Sequence, residues 1–180
     1  IKKQKSYFKG EISMQTIIQQ ITTDLKEEIL KKACSEKITN LDSLAADIFE
    51  DCTKASCLIL QEIIKVLNQK IKNDKSNRKN SGLVLKESNR PRQIHTKLGT
   101  IEFKRDYYFN KKEGFYVYLL DNILGIEKYE RIGATIVAQM LQSATEMSYQ
   151  KSAQLVSGNA VSRQSVRNHL LKLDIPEKQP

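Results

Sequence analysis

SYQKSAQLVSGNAVSRQSVRNHLLKL, residues 148–173, contains two short helical patterns separated by a break. The first pattern covers residues 149–157, and Gly158-Asn159 interrupts it. Ser162 can cap a second helix over about residues 163–173, because its hydroxyl accepts a hydrogen bond from one of the first free N–H groups of that helix. This order of elements predicts a helix-turn-helix arrangement.

The second predicted helix has an apolar side and a polar side. Its spacing points Val166, Leu170 and Leu173 inward. The polar side chains near its start would face the major groove, where arginine pairs with guanine and asparagine or glutamine pairs with adenine. Each good pair is worth about 1–3 kcal/mol of discrimination against a wrong base. The candidates for base reading are Arg163, Gln164, Arg167 and Asn168.

The spacing between the two helices is longer than in compact repressors. Ala153 would be the small residue that lets the helices approach, and Val161 would anchor the second helix, eight positions later. We therefore expect an extended turn. A basic helical hairpin with no role in DNA binding would give the same sequence pattern.

The positive charge of the chain is concentrated in one segment. The net charge is +9, and residues 75–131 carry thirteen basic and seven acidic residues. A localised excess of this kind is typical of a polyanion partner, nucleic acid before a membrane surface. A lysine-rich composition without such a partner is the alternative. No apolar run approaches the roughly 20 residues of a membrane span.

The N-terminal half predicts a pair of antiparallel helices. The apolar residues Ile17, Ile21, Leu25 and Ile29 recur every four positions. A second, longer helix would begin at a Thr39 or Asn40 cap and end near Lys72. Its apolar stripe exceeds what the first helix can cover, so the surplus must meet the rest of the chain or a second copy. The residues of this stripe are Leu41, Leu44, Ile48, Cys52, Ala55, Ile59, Ile63 and Val66.

Residues 93–119 favour a small antiparallel β unit. Ile101, Phe103 and Tyr107 follow a period of two, and the turn residue Gly114 precedes another aromatic run. Aromatic residues mixed with basic ones can stack on bases, but in a small sheet they are equally expected to form its core. The candidates for phosphate contact, with Tyr108 nearby, are Lys75, Arg78, Lys79, Arg90, Arg92, Lys97, Lys104, Arg105, Lys111, Lys112 and Lys151.

Together these patterns predict a mainly α fold with a small antiparallel β unit, an α+β class. No C-x-x-C pair is present and the two histidines lie far from the cysteines, so we expect neither a zinc site nor a bound cofactor. The expected segments are a leader or extension (1–13), a helical hairpin (14–74), a basic linker (75–92), the β unit (93–126), a helix-turn-helix-like domain (127–175) and a tail (176–180).

Several motifs in the second half resemble a known family. They are NRPRQIHTKLGTIEFKRDYYFNKKEGFYVYLLDNILGI (89–126), YERIG (129–133), ATEMSYQKSAQLV (144–156) and VSRQSVRNHL (161–170). In order and spacing they are similar to the N-terminal region of the ISLre-type bacterial insertion-sequence transposases. The resemblance spans about residues 14–180.

This resemblance implies a transposase of the DDE class, with an N-terminal region that binds DNA and an RNase H-like catalytic domain. Such a domain holds Mg²⁺ with converging carboxylates. We expect the chain to be the N-terminal portion without that domain, and therefore not an enzyme by itself. Glu146, Asp106 and Asp121 lie in family-like segments, but nothing marks them as metal ligands, and we expect caps and solvated surface. No catalytic residue is assigned.

Two functional hypotheses follow. In the first, the chain binds double-stranded DNA at the ends of the mobile element, in the bacterial cytoplasm with the nucleoid. In the second, residues 15–72 form an oligomerisation device, for a second copy or for full-length transposase, and the last helices only close a core. A stand-alone helix-turn-helix regulator is a further alternative. Neither a membrane nor a small-molecule substrate is expected.

Overall fold

The computed structural model describes residues 2–34, 40–158 and 160–173, and it confirms the α+β class. These residues form two compact units. Unit 1 contains Ile1–Gln93 and Leu98–Lys128, and unit 2 contains Ile94–Lys97 and Tyr129–Pro180. The elements are α1 (Lys2–Ala33), α2 (Leu41–Asn73), α3 (Lys75–Asn80), β1 (Leu83–Thr96), β2 (Gly99–Asn110), β3 (Phe115–Val117), α4 (Leu119–Leu124), α5 (Ala134–Ser143), α6 (Tyr149–Ser157) and α7 (Arg163–Leu170).

Helix α1 is longer than its apolar repeat predicts, because residues 2–13 continue it. The repeating side chains Ile17, Ile21, Leu25 and Ile29 are all half-buried, whereas most positions between them are exposed. Helix α1 packs against α2, and the Nζ of Lys32 lies 2.5 Å from a carboxylate oxygen of Asp51. The predicted pairing of the first two helices is therefore present.

Helix α2 begins at the predicted cap. The side chain of Asn40 accepts a hydrogen bond from the N–H of Ser43. The helix packs against α1, β2 and α4. Its most buried residues are Ala55, Ile64 and Asn68. The prediction was wrong for Leu41 and Ile63, which are exposed. Leu41 is the first residue of α2, and in the second half of the helix the buried positions are Ile64 and Asn68, so the buried face is displaced by one residue from Ile63. The other stripe residues are buried or half-buried.

Residues 75–92 are not the irregular linker that their polarity indicated. They form α3 and most of β1. The carboxylate of Asp74 caps α3 by accepting from the N–H of Asn77. Strand β1 is polar because it lies at the edge of the sheet, whose order is β1-β2-β3, and an edge strand also tolerates Pro91.

The buried positions of β2 change phase in the middle of the strand. Ile101, Phe103 and Arg105 are buried, and then Asp106, Tyr108 and Asn110 are buried. Successive side chains of a strand point to opposite faces, so one face is covered in the first half and the other face in the second half. The predicted period of two holds, but with a shift that buries two charged residues in succession.

Each of these two charged residues has a partner on a different element. The guanidinium of Arg105 forms an ion pair with Asp121 of α4 and lies over the ring of Tyr118, 3.5 Å from its centroid. Burial lowers the pKa of Arg105, and the nearby charge of Arg92 lowers it further. Asp106 accepts from the backbone N–H of Asn89 at 3.0 Å and lies 3.7 Å from Nζ of Lys72. Asp106 and Asp121 are therefore buried and paired, not solvated as expected.

The aromatic residues divide between the two faces of the sheet. Tyr108 is completely buried, so it is a core residue and not part of a solvated basic face. In the antiparallel register Phe109 lies opposite Tyr116. Tyr107 stacks on Tyr116 with ring centroids 5.1 Å apart and contacts the Tyr118 ring at 4.6 Å. These ring contacts stabilise the sheet, but Tyr116 remains 54% exposed and Phe115 remains 47% exposed, so ring surface on β3 is open to solvent.

Breaking the Arg105–Asp121 pair should destabilise unit 1. Asp121→Ala leaves a buried guanidinium without its carboxylate, and we expect the free energy of unfolding to fall by about 3 kcal/mol. The double variant Arg105→Met, Asp121→Leu should lie closer to the wild type, because neither charge remains buried. Urea denaturation followed by circular dichroism measures both. A loss below about 1 kcal/mol for Asp121→Ala would show that the pair contributes little.

Tyr108 should make the fold sensitive to alkaline pH. Burial, reinforced by the Asp106 carboxylate, raises the pKa of Tyr108 to about 12. The unfolded chain ionises this phenol near pH 10, so it holds fewer protons than the folded chain between about pH 10 and 12, and stability falls as pH rises.

The test is Tyr108→Phe, which also removes a buried hydroxyl that has no hydrogen-bond partner among the described residues. We expect the stability of the variant at pH 8 to equal or exceed that of the wild type. Its additional loss on moving toward pH 12 should be smaller by about 1–2 kcal/mol. Thermal melts at pH 8, 10 and 11 compare the two proteins. Parallel pH profiles would contradict the assignment.

Candidate nucleic-acid interface

Unit 2 is a three-helix arrangement around its own apolar core. Helices α5, α6 and α7 all pack against one another. The fully buried hydroxyl of Ser152 donates to the carbonyl of Met140 at 2.6 Å, which joins α6 to α5. Near the start of the unit, the N–H of Gly133 donates to the carbonyl of His95 at 2.8 Å. The buried core residues are Ile132, Ile136, Met140, Ala153, Val161 and Val166.

The connection between α6 and α7 begins as the sequence predicts. Helix α6 covers Tyr149–Ser157, and Gly158 follows with φ 56° and ψ 36°, the left-handed conformation that glycine adopts without steric cost. The hydroxyl of Ser157 accepts from the N–H of Val161 at 3.1 Å and donates to the carbonyl of Ala153 at 2.7 Å. The extended turn is therefore held by side-chain hydrogen bonds. Asn159 lies outside the described residues.

Helix α7 begins at the predicted cap and separates its two faces. The Ser162 hydroxyl accepts from the N–H of Ser165. Val166 is completely buried, and Val161, just before the helix, is also buried. The Nε2 of Gln164 donates to Oδ1 of Asn168 at 3.0 Å, which links two of the polar side chains. All four candidates for base reading are exposed: Arg163, Gln164, Arg167 and Asn168.

The end of α7 differs from the prediction. The helix stops at Leu170, whereas the sequence indicated residue 173. Leu173 is 49% exposed and does not join the core, so its predicted inward position was wrong. Helix α7 completes only about two turns, and its third apolar position is therefore beyond the last turn.

The structure separates the candidates for phosphate contact into different environments. Lys75, Arg78, Lys79 and Lys111 line one groove of unit 1. Lys97, Lys104, Lys112 and Lys151 are exposed. Arg90 is half-buried and donates to the hydroxyl of Tyr118 at 2.7 Å, and Arg92 is half-buried with NH2 3.3 Å from the carbonyl of Glu127. Arg105 is buried in its ion pair, so its proposed contact with phosphate was wrong.

Sequence reasoning missed the buried Arg105–Asp121 pair. The strand pattern placed Arg105 beside exposed lysines, and Asp121 looked like an ordinary helix-start carboxylate. The signal was present in the period-two pattern itself, since Arg105 follows Ile101 and Phe103 at the same parity. An arginine on the apolar parity of a strand indicates a buried partner.

Gly158 gives a direct test of the turn. A Cβ added there meets no atom within 4 Å, so Gly158→Ala introduces only the cost of a left-handed conformation. We expect the free energy of unfolding to fall by about 1 kcal/mol, and by less for Gly158→Asn, which tolerates this conformation better. Denaturation followed by circular dichroism measures both variants. Equal stability of the alanine variant and the wild type would contradict a left-handed residue at this turn.

Across residues 2–34, 40–158 and 160–173, no helix combines the length and the apolar character needed to cross a bilayer.

Comparison with known proteins gives matches that cover most of the chain. A family model described as "Uncharacterised protein family (UPF0236)" matches residues 34–180. One UPF0236 protein of Caldanaerobacter subterraneus subsp. tengcongensis is 33% identical over 147 residues, which cover 82% of this chain and 30% of that protein. Another from the same organism is 33% identical over 134 residues, covering 74% of this chain and 28% of its own length. No solved structure matches. The chain spans less than a third of these relatives, and it belongs to the UPF0236 family.

Proposed function

We propose that this chain is the DNA-binding part of a transposase and that unit 2 recognises the ends of the mobile element. The observation that carries the proposal is the division of α7 into two faces. Val166 fixes one face in the core, and four side chains able to pair with bases stand exposed on the other. A recognition helix needs this combination of a fixed inner face and a free polar outer face.

The start of α7 is the part that would approach the bases. In helix-turn-helix proteins the N-terminal residues of the second helix contact base edges. Here Arg163 and Gln164 form the first turn, and Arg167 and Asn168 follow one turn later. Ser162 caps the helix, so the free N–H groups of its first turn are partly satisfied and its direction is fixed. These four residues would determine which base sequence the protein prefers.

Strand cleavage and joining are not proposed for this chain. Asp106 and Asp121 already pair with Lys72 and Arg105, and a paired, buried carboxylate is poorly placed to hold a metal ion. We assign the Mg²⁺-dependent chemistry to a carboxylate-bearing catalytic domain, in the part of the relatives that this chain does not cover. The activity of such a whole protein is part of the proposal.

The alternative is a protein-interaction module. This alternative is supported by large apolar side chains that are exposed on α1 and α2, namely Leu30, Leu41, Phe49 and Leu58. In this alternative α1 and α2 would bind a second copy or a longer transposase. Sedimentation of the wild type and of Leu41→Ser, Phe49→Ser distinguishes it, because only a protein held together by this surface would dissociate.

The test of DNA recognition is fluorescence anisotropy with a labelled duplex carrying the terminal inverted repeat and a scrambled duplex of equal length. The wild type should prefer the terminal repeat. The double variant Arg163→Ala, Arg167→Ala should lose at least about tenfold of that preference, because each lost bidentate pair is worth about 1–3 kcal/mol. Circular dichroism should show an unchanged fold, since both side chains are exposed.

The matched control is Arg131→Ala, Lys172→Ala. It removes two exposed positive charges from the same unit, both outside α7. We expect weaker binding to both duplexes with the preference retained. If the two double variants behave alike, α7 does not read bases. If the wild type binds both duplexes equally, the proposed recognition of element ends is wrong.

A further inference from the structure

A basic groove lies in unit 1, whereas α7 belongs to unit 2. It has a volume of about 430 Å³ and is lined by α3, by the first residues of β1 and by the turn after β2. Four of its lining residues are cationic: Lys75, Arg78, Lys79 and Lys111. The other lining residues are Gly82, Leu83, Val84 and Leu85, so no acidic side chain among the described residues lines the groove.

The three lysines of the groove are available to a ligand. All three are exposed, and none of their ammonium groups makes an ion pair or a hydrogen bond within the described part of the chain. The nearby carboxylates are occupied elsewhere. Asp74 binds the backbone and side-chain nitrogens of Asn77, and Glu113 accepts from Nδ2 of Asn110 at 3.1 Å. Hydrogen bonds to amide groups do not cancel these two carboxylate charges, but the four cations that line the groove outnumber them, so its net charge is positive.

Hydrogen bonds hold the walls of the groove together. The N–H of Lys111 donates to the carbonyl of Gly82 at 2.9 Å, and Nζ of Lys112 donates to the carbonyl of Asn80 at 2.6 Å. Gly82 has φ 73°, and a Cβ there would come within 2.8 Å of Cγ of Lys112. The turn after β2 is thus fixed against the end of α3, and the backbone of Lys111 has a defined place beside Lys75 and Lys79.

Arg78 has a supporting role in the groove. Its NH2 donates to the carbonyl of Lys72 at 2.6 Å, and its guanidinium lies over the ring of Tyr108, 5.3 Å from the centroid. These contacts fix the position of the Arg78 guanidinium without neutralising its charge. The three lysines are free to adjust, and a lysine ammonium binds phosphate as a point charge without a fixed orientation.

We propose that this groove binds phosphates of the DNA backbone, irrespective of base sequence, as a second contact separate from α7. The inference rests on the proposed function, because it assigns the partner of the groove as the same DNA. Phosphate contacts supply affinity and position, whereas base contacts supply sequence choice. Unit 1 would thus provide affinity for any duplex, and unit 2 would provide the preference.

The experiment measures binding to the scrambled duplex across a salt series. The test variant is Lys75→Ala, Lys79→Ala, Lys111→Ala. Each phosphate contact contributes about 0.9 to the slope of log K against log salt. We expect the slope to become shallower by about 2–3, and the affinities for scrambled and terminal-repeat duplexes to fall by the same factor.

The matched control is Lys26→Ala, Lys31→Ala, Lys54→Ala, which removes the same charge from exposed positions of α1 and α2. Its slope should stay close to that of the wild type, because Lys31 and Lys54 form only exposed ion pairs with Glu28 and Glu50. If both triple variants change the slope equally, the groove has no special role and the inference is overturned.

The readouts separate this inference from the proposed function. Recognition of element ends is tested by the ratio of the affinities for the two duplexes. Phosphate binding by the groove is tested by the salt slope for the scrambled duplex. A shallower slope for the groove variant in a protein without preference would support the groove and reject base reading by α7. If the groove variant keeps the preference for the terminal repeat and its salt slope is unchanged, base reading by α7 is supported and the groove is rejected. Absence of any binding to DNA would overturn both.

Discussion

Burial of two consecutive charges on one strand governs unit 1. Arg105 and Asp106 point to opposite faces of β2, and a buried charge is costly unless it is paired. Arg105 requires Asp121 of α4, whereas Asp106 requires the N–H of Asn89 on β1 and the ammonium of Lys72 on α2. This one dipeptide therefore connects β2 with α2, β1 and α4, and a one-residue slip of β2 would move each charge to the face opposite its partner.

The same constraint creates the basic groove. Lys72 lies at the end of α2, so its approach to Asp106 brings the start of α3 close to the sheet. The carbonyl of Lys72 then accepts from Arg78, whose guanidinium covers Tyr108. Within the polar segment 75–92, Arg78 thus contacts both the end of α2 and the core tyrosine of β2. Lys75 and Lys79 of the same segment are exposed in the groove, where we propose that they bind a polyanion.

The helix ends of unit 2 are set by interactions between residues that are close in the chain, so its sequence was easier to interpret. Helix α6 ends at a left-handed glycine, α7 begins at a serine cap, and both helices contribute apolar residues to one core. Each signal acts within a few residues of its position, so local chemistry is sufficient to predict it. The predicted inward position of Leu173 was wrong because a regular apolar repeat does not indicate where a short helix ends.

The sequence by itself determined the α+β class, the caps at Asn40 and Ser162, the break at Gly158 and the exposure of the polar face of α7. These features follow from spacing and from hydrogen bonds between near neighbours. Only the tertiary structure decided that Arg105 and Tyr108 are buried, that residues 75–92 form α3 and an edge strand, and that Lys111 lies beside Lys75 and Lys79. Those outcomes depend on contacts between residues far apart in the chain, where the cost of burying charge, and not local propensity, selects the arrangement.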